Sequence, residues 1–326
     1  MKKILGIGNA LVDVIIKVKD ESVLEKYSLP KGSMQLVDND MAEMIEKDTR
    51  DNPVFLASGG SGANTIHGLA KLGIKTGYIG KTGKDAHGEF FSKDMDKAGI
   101  VPFLGIGNAP TGRAMTIVTP DSERTFATYL GSAIELTPAD FLTTPFSDYS
   151  IIHIEGYLVP NTELIHSMLK EAKKAGLTIS IDMASYNVVE ANLDFLKEIV
   201  KEYVDIVFAN EEEAYAFTGK KPLDAAKSIA EIAEYAVVKT GRYGSIIKHK
   251  NEIAEIGVIT ANCIDTTGAG DLYASGFLYG LINNLTLKKC GELGALLAGK
   301  VIENYGAKIP DTLWPVINEL KEKIEV

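Results

Sequence analysis

Cysteine is scarce in this chain of 326 residues, in which only Cys263 and Cys290 occur. Two cysteines are too few for a disulfide framework, and they lack the spacing of a metal-ligand motif. This usage is typical of a reducing compartment. We therefore expect a cytoplasmic protein in which both thiols are buried.

Long apolar runs and an excess of positive charge are also missing. No run approaches the ~20 apolar residues that a membrane-spanning helix needs. The apolar start, Ile4 to Val12, is interrupted by Asn9 and lacks a cleavage pattern, so it is interpreted as a first strand. The formal charge is 34 − 44 = −10, which disfavours nucleic-acid binding and favours a small-molecule partner. We expect no association with a membrane.

Strand and helix patterns alternate through most of the chain, from the strand Lys3 to Gly8 onwards. This alternation predicts an α/β fold with a central, mostly parallel sheet. Short β-rich runs break it at about 14–37 and 112–130, and the second run reads as a hairpin. No repeat or linker divides the chain, so we expect one domain, residues 1–326, with a small β-sheet lid formed by these two insertions.

A glycine-rich turn precedes an apolar helix at Asp265-Thr-Thr-Gly-Ala-Gly-Asp271. Gly268 and Gly270 have no Cβ, so several backbone N–H groups can converge on one anion at the helix N-terminus. A carboxylate at this point, Asp271, would repel a phosphate unless it accepts the proton of an attacking hydroxyl. The turn therefore predicts a phosphoryl-transfer site, and a plain turn with a helix cap is the alternative.

A second glycine-rich turn, Ser58 to Asn64, opens another helix. Its Gly59 and Gly60 permit close approach of the backbone to a ligand, and Asn64 offers both a donor and acceptors. Asn9 and Asp13 follow the first strand, at the sheet edge where α/β proteins bind ligands. A carboxylate and a carboxamide suit a vicinal diol, so these residues are candidates for holding a sugar. The alternative for the turn is an ordinary loop.

Three further groups follow predicted strands. They are Asn210-Glu211-Glu212-Glu213, Lys239-Thr240-Gly241 and Gly156-Tyr157. Acids near a phosphate site suggest Mg²⁺, which keeps most of its waters, so Glu213 and Asn210 would hold it through water. An acidic helix N-terminus explains the same acids without a metal. Lys239, Thr240 and Gly241 would line a nucleotide phosphate or simply turn the chain.

The two glycine-rich turns resemble the signature motifs of the ribokinase-like, or PfkB, family of small-molecule kinases. Gly59 to Asn64 is similar to the first motif and Asp265 to Asp271 to the second. The resemblance spans nearly the whole chain. It implies a ribokinase-like three-layer α/β/α domain with a small β lid, ATP as phosphoryl donor, and Mg²⁺. It leaves open whether a monovalent cation such as K⁺ orders the loops around Asp265 and Ala307, and whether the protein is a monomer or a homodimer.

The resemblance also implies roles for the residues near the nucleotide. Asp271 would be the catalytic base, and the backbone N–H groups of Gly268, Ala269 and Gly270 would hold the phosphoryl group in transit. The residues implied to lie along ATP are Asn210, Lys239, Thr240 and Gly241, with Asn304 near its base.

Within the family, Gly8 to Asp13 and Glu123 to Phe126 resemble segments of purine-nucleoside kinases, the adenosine kinases in particular. This likeness implies a nucleoside site of several parts. Asp13, Gly60 and Asn64 would grip ribose hydroxyls, Phe126 and Tyr157 would sandwich a purine, and Arg124 would close on phosphate. The alternative for the two aromatic side chains is core packing.

We therefore expect ATP-dependent phosphorylation of the 5′-hydroxyl of a purine ribonucleoside, adenosine first. The alternatives within the family are a guanosine or inosine kinase and a kinase of ribose, fructose or a keto-sugar acid. Flat aromatic walls argue against a bare sugar, which needs polar ones. Gly6 to Leu11 lacks the third glycine of a dinucleotide motif, which disfavours an oxidoreductase. The intact Asp271 opposes a catalytically silent nucleotide sensor.

Overall fold

The computed structural model describes residues 2–121 and 123–326, and its strands form two sheets. The strands in chain order are β1 (Lys3–Ile7), β2 (Leu11–Lys17), β3 (Met34–Leu36), β4 (Val54–Gly59), β5 (Lys75–Thr82), β6 (Ile100–Ile106), β7 (Gly112–Val118), β8 (Arg124–Tyr129), β9 (Ile151–Glu155), β10 (Thr178–Asp182), β11 (Ile206–Asn210), β12 (Tyr235–Lys239), β13 (Ser245–His249) and β14 (Glu252–Ile256).

The larger sheet has nine strands in the order β14-β13-β12-β11-β10-β9-β1-β5-β6. Its strands from β12 to β6 pair in parallel, whereas β13 and β14 add an antiparallel hairpin at one edge. The central strands β1 and β9 are almost continuously buried, which is expected when helices cover both faces of a parallel sheet. The predicted mostly parallel α/β sheet is confirmed.

The helices are α1 (Ser22–Lys26), α2 (Asn39–Thr49), α3 (Ser61–Lys71), α4 (Ala86–Lys97), α5 (Thr162–Lys174), α6 (Tyr186–Ala191), α7 (Leu193–Glu202), α8 (Glu211–Thr218), α9 (Pro222–Ile229), α10 (Ala269–Ile282), α11 (Leu287–Val301) and α12 (Trp314–Glu325). Helix α2 contacts β8 of the smaller sheet and α1 contacts α2, whereas later helices cover the two faces of the larger sheet. In the described residues, none of these helices is long and apolar enough to cross a membrane.

Two hydrophobic cores lie on opposite faces of the larger sheet. Neighbouring residues of β1 belong to different cores, Ile4 to one and Leu5 to the other, because alternate side chains of a strand point to opposite faces. The first core includes residues of α3, α10 and α11, and the second includes residues of α5, α7 and α9. The result is the three-layer α/β/α arrangement.

The smaller sheet, which we call the lid, has the strand order β3-β8-β7-β2-β4. Strands β7 and β8 form an antiparallel hairpin in which Val118 pairs with Arg124. Strand β4 was not predicted, because its sequence runs directly into the glycines of the turn before α3. It pairs antiparallel with β2, which places Ala57 opposite Asp13. The lid is therefore built from three chain segments and not from two.

Candidate active site

Polar side chains gather at one edge of the larger sheet, where its parallel strands end. They are Asn9 just after β1, Glu155 at the end of β9, Asp182 at the end of β10, Asn210 at the end of β11 and Lys239 at the end of β12. Carboxyl ends of parallel strands meet at one edge, which is where open α/β sheets bind ligands. The N-terminal turns of α3 and α10 reach this edge as well, since their side chains contact each other there.

The N-terminus of α10 has the geometry of an anion site. Gly268 precedes the helix with a φ of 76°, a left-handed conformation that favours glycine, and a Cβ there would lie 2.6 Å from Ala307 Cβ. The N–H of Ala269 donates to Thr266 O. Among residues 2–121 and 123–326, the N–H groups of Gly268, Gly270 and Asp271 donate to no protein acceptor. Three N–H groups are thus free for an anion. The predicted set was Gly268, Ala269 and Gly270, and in the structure the N–H of Asp271 takes the place of the N–H of Ala269.

The carboxylate of Asp271 is held by two side chains from α3. Ser61 Oγ donates to Asp271 Oδ1 over 2.7 Å, and Asn64 Nδ2 donates to Asp271 Oδ2 over 2.9 Å. Burial raises the pKa of Asp271 to about 6, although both hydrogen bonds oppose the shift. A carboxylate with this pKa, fixed beside free N–H groups, can accept a proton near neutral pH.

Asn64 also carries an unused acceptor. The residue is only 6% exposed, and its Oδ1 is buried without a hydrogen-bond partner in the described part of the chain. Buried carboxamide oxygens are nearly always paired, so this atom is suited to a donor from a ligand, such as a hydroxyl. The structure thus brings Asn64 and Asp271 together, as the sequence motifs suggested.

Asn9 lies beside a buried carboxylate that the sequence analysis did not select. Asn9 Nδ2 donates to Glu155 Oε1 over 2.7 Å, and the N–H of Gly62 donates to Glu155 Oε2 over 2.9 Å. Burial raises the pKa of Glu155 to about 7 against both of these hydrogen bonds. The sequence analysis named Tyr157 after this strand, and the structure adds Glu155, the last residue of β9, as a second polar group there.

Asp13 projects from β2 of the lid over the turn that contains Gly59. A Cβ on Gly59 would overlap the Asp13 carboxylate, so glycine is required for this close approach. Burial raises the pKa of Asp13 to about 7, and the nearby Lys308 opposes that shift. Gly60, with a φ of 95°, packs equally closely on the backbone oxygen of Asn9. Asp13, Gly59, Gly60 and Asn9 thus form one cluster.

Arg124 joins the lid to the loop that precedes α10. Its guanidinium forms an ion pair with Asp265 and donates to Thr267 Oγ1 and Ile264 O, each over 3.3 Å. Asp265 also accepts from the N–H groups of Thr267 and Gly306. The positive charge that faces Asp265 in this structure is therefore Arg124, and lid strand β8 rests directly on the turn that leads to the anion site.

Phe126 and Tyr157 do not line the same cavity. Phe126 lines a narrow cleft under the lid together with Asp13 and Arg124. Tyr157, which is 42% exposed, lines a cavity of about 450 Å³ beside Asn9. The other apolar walls of that cavity include Ala133, Ile134, Leu136, Leu158 and Pro160. The two aromatic side chains thus do not flank one slot in this structure.

A second cavity of about 450 Å³ adjoins the anion site on its other side. Lys239, Gly241 and Gly270 lie at its polar end. Its remaining lining is largely apolar and includes Val258, Ile259, Ala295, Ala298 and Ile302. Thr240 is buried outside this lining. Asn304 is also outside it, and its amide donates to Lys300 O over 3.0 Å.

Cys263 lines this second cavity and is exposed, so the expectation that both cysteines are buried is wrong for Cys263. Cys290 is buried as expected. The segment from Val258 to Cys263 leads from the edge hairpin to the anion-site turn without helix or strand structure. A thiol in such a segment lacks the burial that strand or helix packing would give.

Lys239 lies between the second cavity and the anion site. Its Nζ donates to Asp182 Oδ2 over 2.7 Å, and a Cβ on Gly270 would lie 3.1 Å from the same Nζ. Although burial opposes the charged form, Asp182 and Glu213 raise the pKa of Lys239. A fixed positive charge therefore lies next to the free N–H of Gly270. Asp182, which holds this charge, was not selected from the sequence.

Asn210 and Glu213 form a capping box at the start of α8. Asn210 Oδ1 accepts from the N–H of Glu213, while the Glu213 carboxylate accepts from the backbone N–H and from Nδ2 of Asn210. Burial raises the pKa of Glu213 to about 7, and Asp182 adds to the shift. Among the described residues, no group of three or more His, Cys, Asp or Glu side chains has the arrangement of a metal site. The contacts of this pair are thus those of a helix cap, the alternative that the sequence offered to a metal site.

The two acids that were missed carried a usable signal. Glu155 and Asp182 are the last residues of apolar strands, in the same position as Asn210 and Lys239 on neighbouring strands. The rule that placed ligands at the carboxyl edge applies equally to them. Lys308 gave no such signal, because it lies in an irregular segment after α11 and is brought to Asp94 and Ser58 only by the fold.

The fold and the site together define a phosphotransferase that acts on a hydroxyl group. A free set of N–H groups at a helix N-terminus, a fixed lysine and a carboxylate are the parts that this chemistry requires. The chain belongs to the pfkB family of carbohydrate kinases, whose family model matches residues 36–313. Membership of this kinase family implies the use of ATP.

Solved structures and curated relatives point to two kinds of acceptor. The adenosine kinase of Sinorhizobium meliloti is 34% identical, with a TM-score of 0.86 over 98% of this chain and 99% of that one. A probable sugar kinase of Rhizobium etli is 33% identical, with a TM-score of 0.87 over 98% of both chains. A 5-dehydro-2-deoxygluconokinase of Geobacillus kaustophilus is 29% identical over 82% of this chain and 84% of its own. The chain is therefore a sugar or nucleoside kinase of this family.

Proposed function

We propose that this protein transfers the γ-phosphoryl group of ATP to the 5′-hydroxyl of a purine ribonucleoside, with adenosine as the first candidate. The observation that carries the proposal is the position of Asp271. Its carboxylate is held by Ser61 and Asn64 beside three N–H groups that have no acceptor among the described residues. In this proposal, one carboxylate faces both the acceptor hydroxyl and the incoming phosphoryl group.

The chemistry follows from these contacts. The acceptor oxygen forms a bond to the γ-phosphorus while the bond from phosphorus to the leaving oxygen of ADP breaks, and the hydroxyl proton passes to Asp271. The free N–H groups of Gly268, Gly270 and Asp271 stabilise the negative charge on the transferred group. Lys239, fixed by Asp182, adds a positive charge on the donor side. Positioning and electrostatics supply most of the rate in such reactions.

The acceptor site offers polar groups for a ribose and an apolar space for a base. Asn64 Oδ1, a buried acceptor without a partner in the described part of the chain, suits a ribose hydroxyl, and Asp13 and Asn9 lie in the same region. The cavity beside Asn9 has the Tyr157 ring and the aliphatic side chains of Ile134 and Leu136 in its walls. Flat apolar walls next to residues that can bind a vicinal diol favour a nucleoside over a bare sugar.

The largely apolar cavity next to Lys239 is the proposed place of the donor nucleotide. Its polar end adjoins Gly270, so a triphosphate there would direct its γ-phosphoryl group at the free N–H groups. The walls that would face the adenine come from α11 and from the segment before the anion site. Thr240 and Asn304 are proposed neighbours of the nucleotide, although neither side chain lines this cavity in the structure.

Magnesium is proposed at the start of α8. Both oxygens of Glu213 accept hydrogen bonds from Asn210, but each oxygen keeps a further lone pair. The pair therefore fits a hydrated Mg²⁺ held through its waters better than a directly bound one. When bound, the metal would neutralise charge on the donor phosphates.

A sugar kinase acting on ribose, fructose or a keto-sugar acid is the second candidate, because sugar kinases are about as similar as adenosine kinases. A guanosine or inosine kinase is the third, since purines differ only in the donors and acceptors at one ring edge. Turnover of ATP and Mg²⁺ with adenosine, guanosine, inosine, cytidine and ribose tests the order of these candidates.

A further inference from the structure

Glu155 is a buried acid to which the phosphoryl-transfer chemistry assigns no step. It is 2% exposed at the end of β9, in the middle of the carboxyl edge, and among the described residues its hydrogen bonds come from no basic side chain. Buried carboxylates are costly to the fold unless their hydrogen bonds are satisfied. Those hydrogen bonds show what the acid holds in place.

The first partner of Glu155 is Asn9. Oε1 accepts from Asn9 Nδ2 over 2.7 Å, which fixes the rotation of the Asn9 carboxamide. This bond uses one of the two Nδ2 hydrogens and turns Oδ1 away from Glu155, so Oδ1 is the acceptor that Asn9 offers on its other side. Without a carboxylate behind it, the carboxamide could turn over and present a donor instead. Glu155 thus decides that Asn9 is an acceptor.

The second partner is the first turn of α3. Gly60, which precedes the helix, has no side chain to cap it, and Glu155 Oε2 instead accepts from the N–H of Gly62 over 2.9 Å. A carboxylate at a helix N-terminus is also favoured by the helix dipole. The same turn carries Ser61 and Asn64, which hold the Asp271 carboxylate. One acid is therefore bonded to both halves of the acceptor site.

The backbone approaches the Glu155 carboxylate closely. A Cβ on Gly8 would overlap Glu155 Oε2, and a Cβ on Gly62 would lie 3.4 Å from the same atom. Tyr78 closes the site from the β5 side by donating to Asn9 O over 3.2 Å. Gly8, just after β1, thus accommodates the Glu155 carboxylate, whereas the distance at Gly62 is that of an ordinary contact.

We propose that Glu155 is a positioning residue for the acceptor: it orients Asn9 so that its Oδ1 accepts a hydrogen bond from an acceptor hydroxyl, and it fixes the turn that carries Ser61 and Asn64. The inference rests on the proposed kinase function but not on which acceptor is used. It assigns Glu155 no contact with the reacting atoms.

The test is Glu155→Gln, compared with Asp205→Asn. A glutamine can accept from Gly62 or from Asn9 but not from both, because its second polar atom is a donor. Asp205 is a matched control, since its carboxylate also accepts a backbone N–H, that of Ile179, but at the opposite edge of the sheet. We expect E155Q to raise the acceptor KM roughly ten- to a hundred-fold with the KM for ATP within about threefold of wild type. D205N should leave both KM values unchanged.

A double variant separates orientation of the side chain at position 9 from general stability. When Asn9→Asp is combined with Glu155→Gln, the glutamine donates from Nε2 to the new carboxylate and accepts from Gly62. Both hydrogen bonds thus return with the net charge unchanged, and the remaining carboxylate oxygen still faces the acceptor. Recovery of acceptor KM to within about threefold of wild type supports the proposal. No recovery, or an E155Q variant whose two KM values change equally, overturns it.

If E155Q alone fails to fold, the double variant supplies the test, and its acceptor KM is again compared with that of the wild type within about threefold. Each assay uses whichever acceptor the wild-type protein turns over. If the wild type phosphorylates ribose and no nucleoside, the proposed nucleoside specificity is wrong, while the role of Glu155 is still measured with ribose. If it phosphorylates adenosine and E155Q keeps its acceptor KM, only the role of Glu155 is wrong.

Discussion

Asn64 donates its amide hydrogen to Asp271 over 2.9 Å, although the two residues are 207 positions apart in the chain. The contact joins the first turn of α3 to the first turn of α10. Because the other polar atom of Asn64 is buried without a partner among the described residues, one side chain both holds the carboxylate and offers an acceptor to a ligand hydroxyl. The candidate base and the candidate acceptor site are thus a single unit.

Asp271→Asn should lower kcat by roughly 10²–10⁴, because an amide cannot accept the hydroxyl proton. The amide is nearly isosteric, so the affinity for ATP should stay within a few-fold of wild type. Steady-state kinetics and a binding titration with ATP measure the two effects. A variant with unchanged kcat would remove Asp271 from the mechanism.

The pH dependence of kcat/KM for the acceptor should report the same carboxylate, because this ratio depends on ionisations of the protein before the acceptor binds. The pKa of Asp271 is raised to about 6, so the residue is protonated and inactive below that value and ionised above it. We therefore expect kcat/KM for the acceptor to rise as the pH increases through about 6. A flat profile between pH 5 and 8 would contradict a role for Asp271 as the base.

Asp13→Asn should weaken the acceptor but stabilise the fold. The pKa of Asp13 is about 7 in the folded protein and near its usual value of ~3.9 when unfolded. The folded state therefore binds the proton more tightly, and the free energy of unfolding falls as pH rises from about 4 to 7.

A neutral asparagine removes this loss at position 13, so at pH 8 we expect Tm to rise by roughly 2–4 °C. The acceptor KM should increase at least tenfold if the carboxylate holds a hydroxyl. Asp148→Asn, a substitution on the surface, should change neither quantity. A D13N variant with normal acceptor KM would place the acceptor elsewhere.

Arg124→Met should weaken closure of the lid, because it removes the ion pair with Asp265 and the hydrogen bonds to the turn before α10. A lid that closes poorly admits water to the phosphoryl group. We expect kcat to fall about tenfold or more, while ATP hydrolysis without acceptor rises relative to phosphorylation. Lys31→Met, in the loop before β3, breaks ion pairs with Glu21 and Asp121 and is the control. Equal losses in both activities would argue against a lid role.

The alternation of apolar strands and helices was enough to predict the large sheet, because a parallel sheet covered on both faces requires buried strands such as β1 and β9. The hairpin β7–β8 was also predicted from its turn. Strand β4 was missed because Val54, Phe55 and Leu56 are exposed on an edge strand and give no alternating pattern. Its backbone pairing with β2, and not burial or a local sequence pattern, distinguishes this strand from a loop.

The motif residues were easier to identify than their partners. Gly268 and Asp271 lie within one short motif, whereas the partners Asn9 and Glu155 are 146 positions apart and meet only because β1 and β9 pair. Phe126 and Tyr157 line different cavities in this structure, because Phe126 belongs to the lid and Tyr157 to the turn that follows β9 of the large sheet. The relative placement of two sheets is a tertiary property that local sequence does not specify.

The most direct test of the central claim is the ratio of kcat/KM for adenosine to that for ribose, measured with ATP and Mg²⁺ and with the product identified by NMR. An apolar cavity for the base, next to the residues that would bind the ribose diol, should make adenosine the better substrate by roughly 10² or more. The product should carry its new phosphate on the 5′ oxygen. A ratio below one, or a phosphate on another oxygen, would contradict the account.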